Sequence, residues 1–247
     1  VKPAGFRSRT LEDTAMYYFA LLQGKERELT PEEAGREMQA YQDFHARAAA
    51  AIREGDALGS AAEAVQITGG PDAPVITDGP YAEGAEIAGG YYVFEADNLD
   101  EALQLARGVP AAQYGSVEVW PIVFWNPVGR PTSDADWLAL LLEPADGVNV
   151  PGGPDWERGL AKHAEFGEGA GSHILGGAPL HPPSTATTVR VRDGEVLLTD
   201  GPFAEGAEVA NGYYILSAAD RDEATKIASM IPASVVHLRR LAGLSGL

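Results

Sequence analysis

The sequence predicts an α+β protein in which two copies of one domain pack against each other, and three observations predict it. Residues 75–111 and 197–233 align without a gap, with 20 of 37 positions identical. Asp78 thus matches Asp200, Tyr92 matches Tyr214 and Pro110 matches Pro232, each 122 residues on. A period that long marks a duplicated domain rather than a solenoid, whose repeats run roughly 20–50 residues. Within each copy the pattern reads strand, helix, two or three strands, helix, strand. Such a unit puts both helices on one face of an antiparallel sheet and leaves the other face bare. The second copy is the economical cover.

In the first copy, residues 16–22 (MYYFALL) are an aromatic and aliphatic run that predicts a buried strand. Thr30-Pro31-Glu32-Glu33 opens a helix: Thr30 can cap, Pro31 suits the first helical position and Glu33 completes a capping box. An apolar stripe through Met38, Tyr41, His45, Ala48 and Ile52 predicts that this helix runs to about Glu54, where Gly55 stops it. Strands follow at 57–67 and 74–77, and Asp78-Gly79-Pro80 is a turn signal. Residues 89–96 (GGYYVFEA) are a strand, Asn98 with Glu101 caps a helix that Pro110 ends, and 117–125 is the last strand.

Residues 126–136 (NPVGRPTSDAD) have linker composition. The second copy repeats the plan with a strand at 137–142, a helix at 155–168, and Leu175-Gly176-Gly177 in the place of Leu58-Gly59-Ser60. A hairpin at 188–199 turns at Asp193-Gly194. A strand at 210–218, a helix capped by Asp220 with Glu223, and a closing strand at 235–241 complete it. Pro179–Pro183 (PLHPP) is a stiff loop without a counterpart in the first copy. The domains are therefore 14–125 and 137–243. Each has the ferredoxin-like split βαβ order with a hairpin extension. The pair is expected to form an internal pseudo-dimer with approximate two-fold symmetry, with Tyr17, Tyr92, Phe94 and Tyr214 lining the join or a cavity in it.

Composition excludes several classes of function. The formal net charge is −18, from 36 acidic and 18 basic residues, which argues against tracking nucleic-acid phosphates or binding an anionic membrane. There is no cysteine, so thiolate nucleophiles, disulfides and cysteine-ligated metals are ruled out. No apolar run approaches the ~18 residues of a membrane-spanning helix. The first fourteen residues lack the apolar core of a signal peptide, and a cytoplasmic protein is the expectation.

The segment TDGP[YF]AEGAE, followed by a GYY strand and a DEA helix ending in Pro, resembles the YCII-related family, and within it the branch named for an Asp-Gly-Pro-Phe motif. The resemblance covers nearly the whole of both copies. It implies a ferredoxin-like fold of the dimeric α/β-barrel type and, for the wider family, a His–Asp pair in a cleft. It also implies that a few relatives act on small aromatic or chlorinated hydroxylated molecules. Some members of this branch are linked to extracytoplasmic-function sigma factors. The usual Thr-Lys of the loop is replaced in both copies, by Gly84-Ala85 and Gly206-Ala207.

His45 lies on an apolar stripe and should face the sheet, at the position where the resemblance places the family histidine. His163 recurs in the second copy with Trp156 and Leu160 on its stripe. Imidazole is the side chain best matched to proton transfer near neutral pH, and a neighbouring carboxylate would fix its tautomer. Asp78 and Asp200, at the mouth of the hairpin loop, are the natural partners. Beside this stand two structural readings: a core histidine bonded to backbone, and an aspartate that holds its own turn. Tyr17, Glu83, Tyr91 and Tyr92, with Glu205, Tyr213 and Tyr214 in the second copy, are the candidate ligand contacts. Glu83, Glu86, Asp78 and His45 could form an oxygen-rich cation site, but no metal signature accompanies them, so neither metal nor cofactor is expected. His173, His181 and His237 have no recognisable catalytic partner. No Ser-His-Asp order, P-loop or dinucleotide fingerprint is present.

The expected function is a cofactor-free small-molecule protein. Histidine would act as general acid/base and Asp78 or Asp200 as orienter, for proton transfer or elimination on an organic substrate. The alternatives are a non-enzymatic regulatory partner, for example of a sigma factor, and a ligand-sequestering protein. The chain would act as a monomeric pseudo-dimer or as a homodimer.

Overall fold

The computed structural model describes residues 16–25, 27–79, 87–145, 147–202 and 208–244. The first copy comprises β1 (Met16–Gly24), α1 (Pro31–Ala48), β2 (Ile52–Ala57), β3 (Val65–Thr68), β4 (Val75–Asp78), β5 (Ile87–Ala96), α2 (Leu99–Gly108), α3 (Ala111–Tyr114) and β6 (Ser116–Pro121). The second comprises β7 (Asp136–Pro144), α4 (Pro154–Ala170), β8 (Ile174–Pro179), β9 (Thr187–Arg192), β10 (Glu195–Asp200), β11 (Glu208–Ser217), α5 (Arg221–Ala228) and β12 (Val235–Arg240).

The caps read from the sequence form. Thr30 accepts from the Glu33 backbone N–H while the Glu33 carboxylate accepts from the Thr30 N–H. Asn98 and Asp220 accept likewise from the Glu101 and Glu223 N–H, while those carboxylates accept from the N–H of the residue before the cap, Asp97 and Ala219. One boundary differs. Helix α1 stops at Ala48, and Glu54 and Gly55, expected at its end, pair with Val93 and Tyr92 as strand β2. Sheet pairing overrides the helical pattern there, and only a residue without a side chain fits opposite the Tyr92 ring. The single strand expected at 57–67 is accordingly divided, by a 3-10 turn at Ala61–Glu63, into the end of β2 and the start of β3.

The strands form two six-stranded antiparallel sheets ordered β10-β9-β6-β1-β5-β2 and β4-β3-β12-β7-β11-β8. Four strands of each are the ferredoxin-like set of one copy. The outer two are the hairpin of the other copy. Val65–Thr68 of the first copy pairs with Val235–Leu238 of the second, and Thr187–Val189 of the second pairs with Val117–Val119 of the first. The exchange is reciprocal, so each copy completes the other's sheet.

Strand alternation sorts the core into three apolar layers. Tyr18, Ala20, Leu22, Tyr92 and Phe94 of the first sheet pack against α1, α2 and α3 through Phe44, Ala106 and Ala112. Ala139, Leu141 and Leu216 of the second pack against α4 and α5 through Phe166, Ala224 and Ile227. Between the sheets, Phe19, Leu21, Tyr91, Val93 and Trp120 meet Leu138, Leu140, Ala178, Tyr213 and Ile215. The two copies therefore cover each other's bare faces. The aromatic side chains in the join include Tyr17, Tyr91, Trp120, Trp125 and Tyr213, with Phe19 stacked on Tyr213 at 4.6 Å. Tyr92 and Phe94 point instead to the helices, and so does Tyr214, because each is one residue out of phase with the join. Among the described residues no helix is long and apolar enough to cross a membrane.

Candidate functional site

A cavity of about 480 Å³ opens in the first copy between α1, the end of β2, the start of β5 and the α3 segment. Leu22, Met38, Leu58 and Ile87 give it apolar walls, and Tyr41, His45, Asp56, Tyr92 and Tyr114 give it polar ones. Arg239 and Leu244 reach it from the second copy. Arg239 is 8% exposed and donates to the carbonyls of Ala88 and Gly59, so it ties the second sheet to the cavity's edge.

His45 projects from the last turn of α1 onto β5, where its Nε2 and the Tyr92 hydroxyl share a hydrogen bond of 2.7 Å. Phe44, next to it, meets the same tyrosine ring edge-on at 5.5 Å. Burial pushes the Tyr92 phenol well above its usual range, and the nearby Tyr41 and Asp56 add to the rise. Tyr92 therefore remains a protonated phenol, able to donate or relay but not to act as a base.

One turn before His45, Tyr41 begins a chain of contacts. Its hydroxyl lies 3.0 Å from that of Tyr114, and Tyr114 donates to Glu37 at 2.6 Å. Arg27 donates to the second oxygen of Glu37 at 2.7 Å and lies 3.7 Å over the Tyr114 ring. An ion-paired carboxylate only accepts. Tyr114 spends its single proton on Glu37, so Tyr41 is the donor to Tyr114. The chain has a fixed direction from cavity wall to exposed ion pair.

Asp56 is the buried carboxylate of the cavity, 6% exposed. It accepts from Thr132 Oγ1 at 2.6 Å and from the Leu244 backbone N–H at 2.8 Å. Burial raises its carboxyl above the usual range, and these hydrogen bonds pull it part of the way back. Its neighbour Glu54 points the other way, into the join, where it accepts from the Tyr91 hydroxyl at 3.2 Å and from the Val128 N–H at 3.1 Å. Burial pushes Glu54 up to about 6 against the same two hydrogen bonds.

The second copy does not reproduce this site. Phe166 meets Tyr214 edge-on at 5.2 Å, as Phe44 meets Tyr92, which fixes the equivalence of α1 and α4 at an offset of 122. His45 then corresponds to Gly167, Tyr41 to His163 and Glu37 to Gly159, while α3, which carries Tyr114, has no counterpart among the described residues of the second copy. Asp56 corresponds to Ala178 and Glu54 to Gly176. His163 still finds its tyrosine, but from one turn away and with the other nitrogen: Nδ1 to Tyr214 Oη at 3.0 Å. Burial presses His163 down to about 4 and Tyr214 up to about 12.

The structure does not bring His45 to Asp78, or His163 to Asp200. Hairpin exchange carries Asp78 to the edge of the second sheet, where it bonds Arg221 and borders a separate hollow with Trp137 and Arg240. Asp200 lies exposed on edge strand β10 of the first sheet, whereas His163 packs over the second. Tyr91 and Tyr213 are sealed in the join, and Tyr17 packs on Trp125 there at 4.7 Å. Glu83, Glu86 and Glu205 lie outside the described residues. Asp56, Tyr41 and Tyr114 were missed as site residues. The available signal for Asp56 was a charged residue between Gly55 and Ala57 in a stretch paired with the GYY strand. Among the described residues no group of three or more His, Cys, Asp or Glu is placed to hold a metal ion.

The chain is 38% identical over 60 residues to an uncharacterized protein of Rhizobium meliloti (strain 1021); the match covers 24% of this chain and 48% of that protein, so the chain spans about half the length of this curated relative. A solved structure of a candidate chlorite dismutase is similar over 92% of this chain and 95% of its own, with a TM-score of 0.45 and 8% identity. The YCII-related domain matches twice, at residues 16–126 and at 147–235. Those two matches take in most of both copies, and the chain belongs to the YCII-related family.

Proposed function

We propose that the cavity of the first copy binds a small organic molecule, and that His45 exchanges a proton with it while Tyr92 and Asp56 hold it in place. The observation that carries this reading is the 2.7 Å contact between His45 and a buried phenol on the wall of a cavity that also holds a buried carboxylate. A pocket of this volume, mostly apolar with a few convergent polar groups, is of the kind that takes small ligands. His45 would take a proton from an O–H or an acidic C–H of the substrate and return it at the same or a neighbouring atom. Where the neighbouring atom carries a leaving group, departure of that group as an anion completes an elimination. Three tyrosines in the walls favour an aromatic or hydroxylated substrate. The second copy, with Gly167 and Ala178 in place of the imidazole and the carboxylate, serves as a structural partner. The Asp-Gly-Pro loop motif supports placing the chain in the Asp-Gly-Pro-Phe branch.

The test is a ligand-observed NMR screen of small hydroxylated aromatics against the full chain, repeated on His45→Ala and His163→Ala. Ligands of the cavity should be lost in the first variant and kept in the second. Hits indifferent to His45, or no hits at all, would overturn the reading.

A further inference from the structure

Strand β5 enters the sheet through two adjacent glycines whose roles differ. A β-carbon on Gly90 would come within 3.0 Å of the Asp56 carbonyl oxygen, so strand packing excludes a side chain there. The second copy meets the same constraint, 3.0 Å from the Ala178 carbonyl, and keeps Gly212. Gly89 is under no such constraint. It is the extra residue of the β-bulge between β1 and β5, its φ lies outside the left-handed region, and a β-carbon built on it meets nothing within 4 Å. The bulge of the second copy holds Asn211 at the matching position. The backbone geometry of this fold therefore accepts a side chain at the bulge, and the first copy lacks one only where the bulge borders the cavity. Bulges commonly aim or withhold a side chain beside a site.

We propose that Gly89 is the specificity-determining position of this cavity. Its missing side chain leaves room at the mouth for the body of an elongated, largely apolar ligand whose polar end lies at His45 and Tyr92. The proposal rests on the reading that the cavity binds a small molecule. Gly89 and Tyr92 are three residues apart on one strand, about 10 Å at ~3.3 Å per residue. A ligand that spans both is longer than a single six-membered ring with one substituent. A ligand confined to the His45 end never meets residue 89.

The experiment compares two probes on the full chain by calorimetric or fluorescence titration: phenol, which fits at the His45 end, and 2-naphthol, which carries a second ring towards the mouth. Gly89→Leu and Gly89→Asn should bind phenol as the wild type does and bind 2-naphthol at least tenfold more weakly, with thermal midpoints close to wild type. His45→Ala should weaken both probes. Equal affinity of the Gly89 variants for 2-naphthol overturns the specificity role and leaves the small-molecule reading intact. Equal loss of both probes overturns it too, because the change then acts on the whole cavity. Failure of the wild type to bind either probe in a His45-dependent manner overturns the inference together with the reading it rests on. A crystal structure of Gly89→Leu with the new side chain turned away from the mouth counts against it independently.

Discussion

The Tyr92 ring occupies the space where a side chain on Gly55 would stand. A β-carbon at 55 would overlap the ring and come within 2.8 Å of the Tyr91 carbonyl oxygen. The same pairing recurs 122 residues on, where a β-carbon on Gly177 would lie 3.1 Å from the Tyr214 ring. Gly55→Ala must therefore move Tyr92, and with it the partner of His45. Overpacking of this kind costs about 1–3 kcal/mol. The expected result is a lowered denaturant midpoint together with weakened binding of any His45-dependent ligand, whereas Tyr92→Phe should weaken binding at a stability cost nearer ~1 kcal/mol.

Glu54 makes the join sensitive to pH. Its carboxyl sits at about 6 in the folded protein against an ordinary 4.5. The native state therefore holds this proton more tightly than the unfolded chain does, and stability falls as pH rises from about 4.5 through about 6. The difference of about 1.5 units corresponds to about 2 kcal/mol. Unfolding free energies measured at pH 4.5 and pH 7 on the wild type and on Glu54→Gln should differ by that contribution, with the variant lacking this part of the decline.

The buried histidines act in the opposite sense. His163 and His237 are each pressed down to about 4 by burial, with Arg239 adding to the effect at His237. Both are neutral in the folded protein, and the unfolded chain takes up their protons first. Their contribution is complete above about 6.5 and is lost as pH falls towards 4, by about 3 kcal/mol at most for each. His163→Gln should flatten part of the acid limb of a stability–pH profile recorded by chemical denaturation.

Two aspartates at strand ends should respond very differently to replacement. Asp136 is fully buried and bonded by Arg130 at 2.7 and 2.8 Å and by the backbone and hydroxyl of Ser133. Burial works to raise its carboxyl, but these hydrogen bonds win and hold it below the ordinary range. Asp136→Ala strands the Ser133 donors and leaves Arg130, which is half exposed, to water, for a loss of about 1–3 kcal/mol. The Asp78–Arg221 pair is exposed, with 73% and 39% of the side chains accessible, and Asp78→Ala should cost less than ~1 kcal/mol. Thermal denaturation of the two variants side by side separates these expectations.

Much of the architecture was legible in the chain. Helix caps at Thr30, Asn98 and Asp220 follow from local chemistry, and the duplication with its bare sheet faces led to the packed pair of sheets. The hairpin exchange was not legible. Residues 65–78 read as the same hairpin whichever sheet receives them, and only long-range pairing to Val235–Leu238 decides it. That one ambiguity displaced the proposed partner of His45, because Asp78 travels with its hairpin. Asp56 was hidden for a related reason: the helical stripe ran on into Ile52 and absorbed the start of β2, so the carboxylate's strand was not recognised in full. The register of α4 was also ambiguous, since both copies present a histidine on the helix and only the Phe44–Tyr92 and Phe166–Tyr214 contacts reveal that the two histidines are a turn apart.

Reciprocal strand donation has a consequence for how such a chain can change. Alone, each half would present an unfilled sheet edge and a homeless pair of strands, both of which a second molecule of itself could complete. Fusion in a single polypeptide guarantees the counterpart at high effective concentration. It also lets the two clefts diverge in sequence while the shared sheets keep the architecture jointly enforced.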